Sequence, residues 1–156
     1  YAGLAALDLS QGASFDMEKA QQAILANQER DGGNPNLFYK SYGCAASLIY
    51  DPKPSSIIKI EKAVARKLPI TLAVSWVYTP NAKDKASKKG NHWLYAVGMS
   101  GKSLFAKDQQ NGHMMATINM DTWTGTAPGK SGVWSYTVTA VHIGCPTKDD
   151  WAAIYH

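Results

Sequence analysis

The spacing of the apolar residues changes once along this chain, near Pro69, and this change constrains the fold more than any other feature. In SFDMEKAQQAILANQER (14–30) the apolar residues recur at helical spacing. In PITLAVSWVY (69–78) apolar and polar residues alternate, which is typical of a half-buried strand. The chain is therefore expected to begin with helices and to continue with strands.

Two helices are expected before that change. Ser14 is placed to cap the first, over residues 14–30. Ser55 or Ser56, after the breaker DPKP, is placed to cap a second helix that runs up to Lys67. The segment FYKSYGCAASLIYD between the two helices has no clear pattern.

Further strands are expected at HWLYAVG, SLFAK, HMMATI and WSYTVTAVHI, each bounded by turn-forming residues, and together they predict an antiparallel meander. Helices followed by strands predict the α+β class, with N-terminal helices packed on a C-terminal antiparallel β-sheet. A length of 156 residues suits a single domain over 1–156.

The charge pattern argues against a nucleic-acid partner. The net charge is +4, and the main local excess is NAKDKASKKG, which carries four lysines and one aspartate. No aromatic residue lies among these lysines, so a solvated loop is favoured over a contact with an anionic partner. No run of about 18 apolar residues is present, so no transmembrane segment is expected, and YAGLAALDLS lacks the basic start of a signal peptide.

A histidine and an aspartate stand at the outer ends of two successive predicted strands, His92 in GNHWLYAVG and Asp108 in SLFAKDQQNG. A hairpin through Ser100 and Gly101 would bring these ends together, so that the carboxylate could accept the imidazole N–H and fix its tautomer. Each residue alone has an ordinary structural explanation. The pair predicts a general base with its orienting acid.

Such a pair needs a nucleophile, and the start of a helix suits one because the dipole and the free N–H groups stabilise negative charge there. The first predicted helix begins at QGASF, which contains no cysteine. Ser14 occupies the position and could equally be a simple N-cap. Gly12 would let the backbone approach a substrate closely.

These motifs resemble the YopT and AvrPphB family of papain-like bacterial effector proteases. The likeness runs over most of residues 12–112: GAS stands where the family has Gly-x-Cys, SYG (41–43) matches a Tyr-Gly segment, and NHWLYAVG with AKDQQNG matches the last two motifs. The resemblance implies a papain-like fold and a secreted effector or toxin that cleaves or modifies an amide bond of a protein or peptide.

Carried over by position, the resemblance makes Ser14 the nucleophile position, His92 the general base and Asp108 the orienting acid. Ser14 replaces the family's cysteine, so the chain could be an inactivated variant, a natural serine enzyme or a degenerate enzyme. A cysteine changed to alanine at Ala13 would equally explain why the nucleophile is missing. Asn91 replaces the glycine that precedes the family's histidine. Deamidases and acyltransferases use the same scaffold.

Cys44 is a competing nucleophile, because YGCAASLIYD resembles the nucleophile region of bacteriocin-leader and related papain-like peptidases. The alternative enzyme would be an amidase, such as a cell-wall amidase, or a peptidase that works through Cys44, although Pro52 limits the helix that could follow it. A third reading is a non-catalytic papain-like module that binds a protein partner. Cys44 and Cys145 could pair as a disulfide, but buried thiols are favoured. No cofactor is expected, and the spacing of His113, His142 and His156 suggests no metal site. The tryptophans are expected mainly in the core, with Trp123 a candidate for a substrate groove.

Overall fold

Strands dominate the computed structural model, which describes residues 14, 16–31, 39–40, 44–82, 86–108 and 114–156. The helices with bounds in this part of the chain are α1 (Met17–Asp31), α2 (Ile57–Ala65) and α3 (Lys148–Tyr155), with a 3-10 turn at Pro54–Ser56 before α2. The strands are β1 (Ala45–Tyr50), β2 (Ile70–Pro80), β3 (Lys88–Ser100), β4 (Ser103–Asp108), β5 (Met114–Asn119), β6 (Thr124–Gly129) and β7 (Gly132–Cys145).

The chain divides into two compact units. The first comprises Tyr1–Leu48, Ile58–Thr71 and His142–His156, and the second comprises Ile49–Ile57 and Leu72–Val141. The single domain expected over 1–156 stays a prediction.

The second unit contains a closed β-barrel. Strands β2 to β6 are neighbours in chain order, and β7 pairs with both β6 and β2, which closes six antiparallel strands. β1 is an additional strand beside β7, where the Asp51 N–H donates to the Thr139 carbonyl at 3.0 Å. Side chains alternate between buried and exposed along β5 and most of β7, so one face of each strand points into the barrel. The interior includes Leu72, Val74, Leu94, Leu104, Ala116, Ile118 and Val138.

The first unit is held by its helices and by polar contacts at their ends. The Thr147 hydroxyl caps α3 by accepting from the Asp150 N–H at 3.0 Å. The Arg66 guanidinium, just after α2, lies 2.9 Å from the Asp150 carboxylate. Ile60 and Ile154 are both fully buried, so α2 and α3 each contribute an apolar side chain to the interior of this unit.

The predicted fold class is wrong. The sequence predicted a papain-like α+β protein with helices covering one face of an open sheet, whereas the described chain is mostly β and its sheet closes on itself. The physical reason lies in β7, which pairs with β2 and also with β6 and so joins the two ends of the row of strands. A closed barrel buries its apolar face internally, so that face needs no layer of helices.

The predicted role of Ser14 as a helix cap is also wrong. The Asp16 carboxylate accepts the Lys19 N–H at 3.0 Å and its carbonyl accepts the Ala20 N–H, so Asp16 caps α1. Ser14 lies two residues earlier and is exposed.

Candidate functional site

The β3–β4 hairpin brings His92 and Asp108 together. The strands are antiparallel, with Tyr95 opposite Lys107 and a turn at Gly101, whose φ is +52°. Asp108 is the last residue of β4, as predicted, but β3 begins at Lys88, so His92 lies within the strand rather than at its start. His92 Nε2 lies 3.1 Å from Asp108 Oδ1.

Asp108 is a buried carboxylate with contacts at both oxygens. Its side chain is 1% exposed, and the Tyr136 hydroxyl donates to Oδ2 at 2.9 Å while His92 faces Oδ1. Burial, followed by the hydrogen bond and the charge of Asp108, raises the pKa of Tyr136 well above its usual value of 10.0. The phenol therefore keeps its proton and remains a donor to the carboxylate.

The contact between His92 and Asp108 is close, but it is not an aligned hydrogen bond. The Nε2–Oδ1 distance of 3.1 Å suits an ion pair, yet Nε2 is buried and no acceptor in the described part of the chain lies along its N–H direction. The ring torsion of histidine is broad, so rotation of the ring changes how its N–H is aimed at the carboxylate. The His92 side chain is 13% exposed, so part of the ring reaches solvent.

Tyr136 is the member of this cluster that the sequence did not predict. It lies on the inward face of β7 together with Val138, and it is 1% exposed. The alternation in WSYTVTAVHI indicates that inward position. Nothing in the local sequence indicates that a carboxylate 28 residues earlier in the chain would accept its hydroxyl.

The two candidate nucleophiles belong to the first unit. Ser14 is exposed and precedes the cap of α1, and its pairing with His92 stays a prediction. Cys44 is 4% exposed and stands directly before β1, so it begins a strand rather than a helix. A nucleophile must reach its substrate, so the burial of Cys44 disfavours it. Gly12, Ala13 and His113 lie outside the described residues.

Both cysteines are buried thiols in the structure. Burial, followed by the charges of Asp150 and Cys44, raises the pKa of Cys145 to about 11. Such a thiol is largely protonated at neutral pH and is a poor nucleophile.

An aromatic cluster lies on the same inward faces of β2 and β7. Trp134 is 4.9 Å from Trp76 and 4.7 Å from Tyr78 between ring centroids. All three side chains are partly exposed, so the cluster lies where the barrel interior meets solvent. Trp123, a predicted candidate for a substrate groove, is 3% exposed and belongs to the core.

The described residues contain no group of three histidine, cysteine, aspartate or glutamate side chains arranged to hold a metal ion. Within the same part of the chain, none of the helices has the length and apolar character needed to cross a membrane.

No protein-family model matches the chain, and no curated protein matches it either. The resemblance to the YopT and AvrPphB proteases therefore stays a prediction.

Proposed function

We propose that this protein is a hydrolase of amide bonds in proteins or peptides, in which His92 acts as the general base and Asp108 orients it. The single observation that supports this function is the buried Asp108 carboxylate 3.1 Å from Nε2 of a partly exposed histidine. Histidine–carboxylate pairs of this kind serve acyl transfer on unrelated folds, so the chemistry does not require the papain-like architecture.

In this mechanism the Asp108 carboxylate accepts the imidazole N–H and so holds the proton on Nε2. The other ring nitrogen, Nδ1, is then left with a lone pair and can accept the proton of a nucleophile. The same nitrogen returns that proton to the departing amine, and water then releases the acyl group. Tyr136 keeps the carboxylate in place through its bond to Oδ2.

The nucleophile of the proposal is the side chain at position 14, a serine here and a cysteine in the family that the sequence resembles. Its substrate would be a protein or peptide. Secretion into a target cell belongs to the same proposal and rests on the resemblance alone.

A thiol introduced at position 14 tests the proposal. We expect Ser14→Cys to react with iodoacetamide at least about tenfold faster near neutral pH than Met17→Cys, because under this proposal His92 takes the proton of the thiol and so increases the thiolate fraction. Met17 is a matched control, since it lies three residues after Ser14, in the first turn of α1, and is 57% exposed. Mass spectrometry locates the label, and the burial of Cys44 and Cys145 keeps their background low.

The faster reaction of Ser14→Cys with iodoacetamide should disappear when His92→Ala is added and should become smaller when Asp108→Asn is added. Cleavage of an unstructured protein such as casein should follow the same order. Equal labelling of Ser14→Cys with and without His92→Ala would contradict the proposal and favour the alternative, a non-catalytic module that binds a protein partner.

A further inference from the structure

A cavity of about 580 Å³ opens in the second unit beside the aromatic cluster. Its walls include Tyr78 and Pro80 from the end of β2, Asn81 just after it, Lys88 from the start of β3, and Ser131 just before β7. A cavity of this size suits a small organic molecule, and the mouths of β-barrels commonly hold such ligands.

The Tyr78 side chain forms one wall of the cavity and is held in position by its neighbours. Its ring packs against Trp134, and its hydroxyl lies 3.0 Å from Ser131 Oγ. Gly132 leaves the space that the ring occupies, since a Cβ there would lie 2.7 Å from Tyr78 Cζ. The Asn81 N–H donates to the Ser131 carbonyl at 2.9 Å, and this bond joins the residue after β2 to the residue before β7. A rigid aromatic wall binds a flat apolar group with little loss of conformational entropy.

Lys88 is the one charged side chain among the lining residues that the structure describes, and the described part of the chain offers it no carboxylate partner. Lys89, the next residue, is also exposed but does not line the cavity. Within the described walls, which are mostly apolar, this single ammonium matches one carboxylate better than a phosphate, which is more highly charged and is usually held by several donors.

We propose that this cavity binds a small aromatic carboxylate, with the ring against Tyr78 and the carboxylate at Lys88. The site is separate from the His92–Asp108 pair, because Lys88 and His92 are four residues apart on β3, or about 13 Å along an extended strand. The proposal therefore stands whether or not His92 is catalytic.

Binding of N-acetyl-L-phenylalanine, followed by tryptophan fluorescence at low ionic strength and by calorimetry, tests the site. We expect the carboxylate to bind at least about tenfold tighter than the neutral N-acetyl-L-phenylalaninamide, because the amide cannot pair with the ammonium. Lys88→Met should remove this preference, Lys88→Arg should retain most of it, and Lys89→Met should leave it unchanged. Tyr78→Leu should weaken both compounds alike.

The lysine variants are expected to fold because both side chains are exposed, and circular dichroism verifies this. Equal affinities for the acid and the amide would overturn the proposal. Equal losses of affinity for the carboxylate in Lys88→Met and Lys89→Met would also overturn it, since that result would show only a general attraction to positive charge.

Discussion

At the scale of single residues, the candidate site depends on how the Asp108 carboxylate is satisfied. A carboxylate that is 1% exposed has lost nearly all contact with water, so its polar contacts within the protein must replace hydration. The Tyr136 hydroxyl supplies one of these contacts from across the barrel. The orientation of Asp108 toward His92 therefore depends on a residue outside the hairpin that carries both.

Removing that hydroxyl should cost stability. We expect Tyr136→Phe to lower the free energy of unfolding by about 1–3 kcal/mol, because it removes one hydrogen-bond donor from a buried carboxylate. Urea denaturation followed by fluorescence measures the change. Tyr50→Phe is the control, since Tyr50 is 74% exposed and its change should stay within about 0.5 kcal/mol. Equal effects of the two substitutions would show that the Tyr136 hydroxyl contributes nothing to stability.

The sequence predicted that His92 and Asp108 lie close to each other, because a hairpin between successive strands is a local feature. It did not predict Tyr136, because that contact exists only once the barrel has closed. The nucleophile assigned to Ser14 stays a prediction.

At the scale of elements, the pattern of alternation located most of the strands. The segments predicted for β2, β3, β4, β5 and β7 all overlap the observed strands. β1, β6 and α3 were missed. β6 contains Gly125, Pro128 and Gly129, which have low strand propensity, so its pairing with β5 and β7 decides its conformation.

β5 and β6 approach each other closely at Gly125, which leaves no room for a side chain there. A Cβ at this position would overlap the Thr117 carbonyl and would lie 2.6 Å from Ile118 Cδ1. We expect Gly125→Ala to lower the free energy of unfolding by about 1–3 kcal/mol, because the backbone of β5 would have to move. Chemical denaturation measures the loss.

Gly98→Ala is the matched control, since nothing lies within 4 Å of a Cβ there. It should leave stability unchanged or raise it by roughly 0.5–1 kcal/mol, because alanine loses less backbone entropy than glycine in a strand. A loss in Gly98→Ala as large as that in Gly125→Ala would contradict the steric explanation.

At the scale of the whole molecule, burial of ionisable groups links folding to pH. His142 lies near the end of β7 and is 4% exposed. Burial lowers its pKa from 6.5 to about 4. The folded chain therefore keeps this imidazole neutral at acidities at which an unfolded chain would protonate it.

This difference predicts a loss of stability in mild acid. Between about pH 6.5 and pH 4 the unfolded state binds the extra proton, so the stability contributed by His142 is present above that range and decreases as the pH falls through it. The total loss from this residue is on the order of 3 kcal/mol. Urea midpoints measured at about pH 7 and about pH 4.5 give the change.

His142→Gln should flatten this pH dependence, whereas His156→Gln, at the exposed end of the chain, should leave it as in the parent protein. If the slopes of the parent and of His142→Gln coincide, other groups cause the acid sensitivity.

The sequence by itself determined where most strands lie and that His92 and Asp108 share one end of a hairpin, since alternation and tight turns are properties of neighbouring residues. The tertiary structure alone decided that the sheet closes and that β1 pairs with β7. It also decided that Tyr136 reaches Asp108 and that a cavity forms beside Tyr78. An open sheet covered by helices and a closed barrel have the same alternating pattern. The difference between them lies in which distant strands pair, and that is set by contacts between residues far apart in the chain.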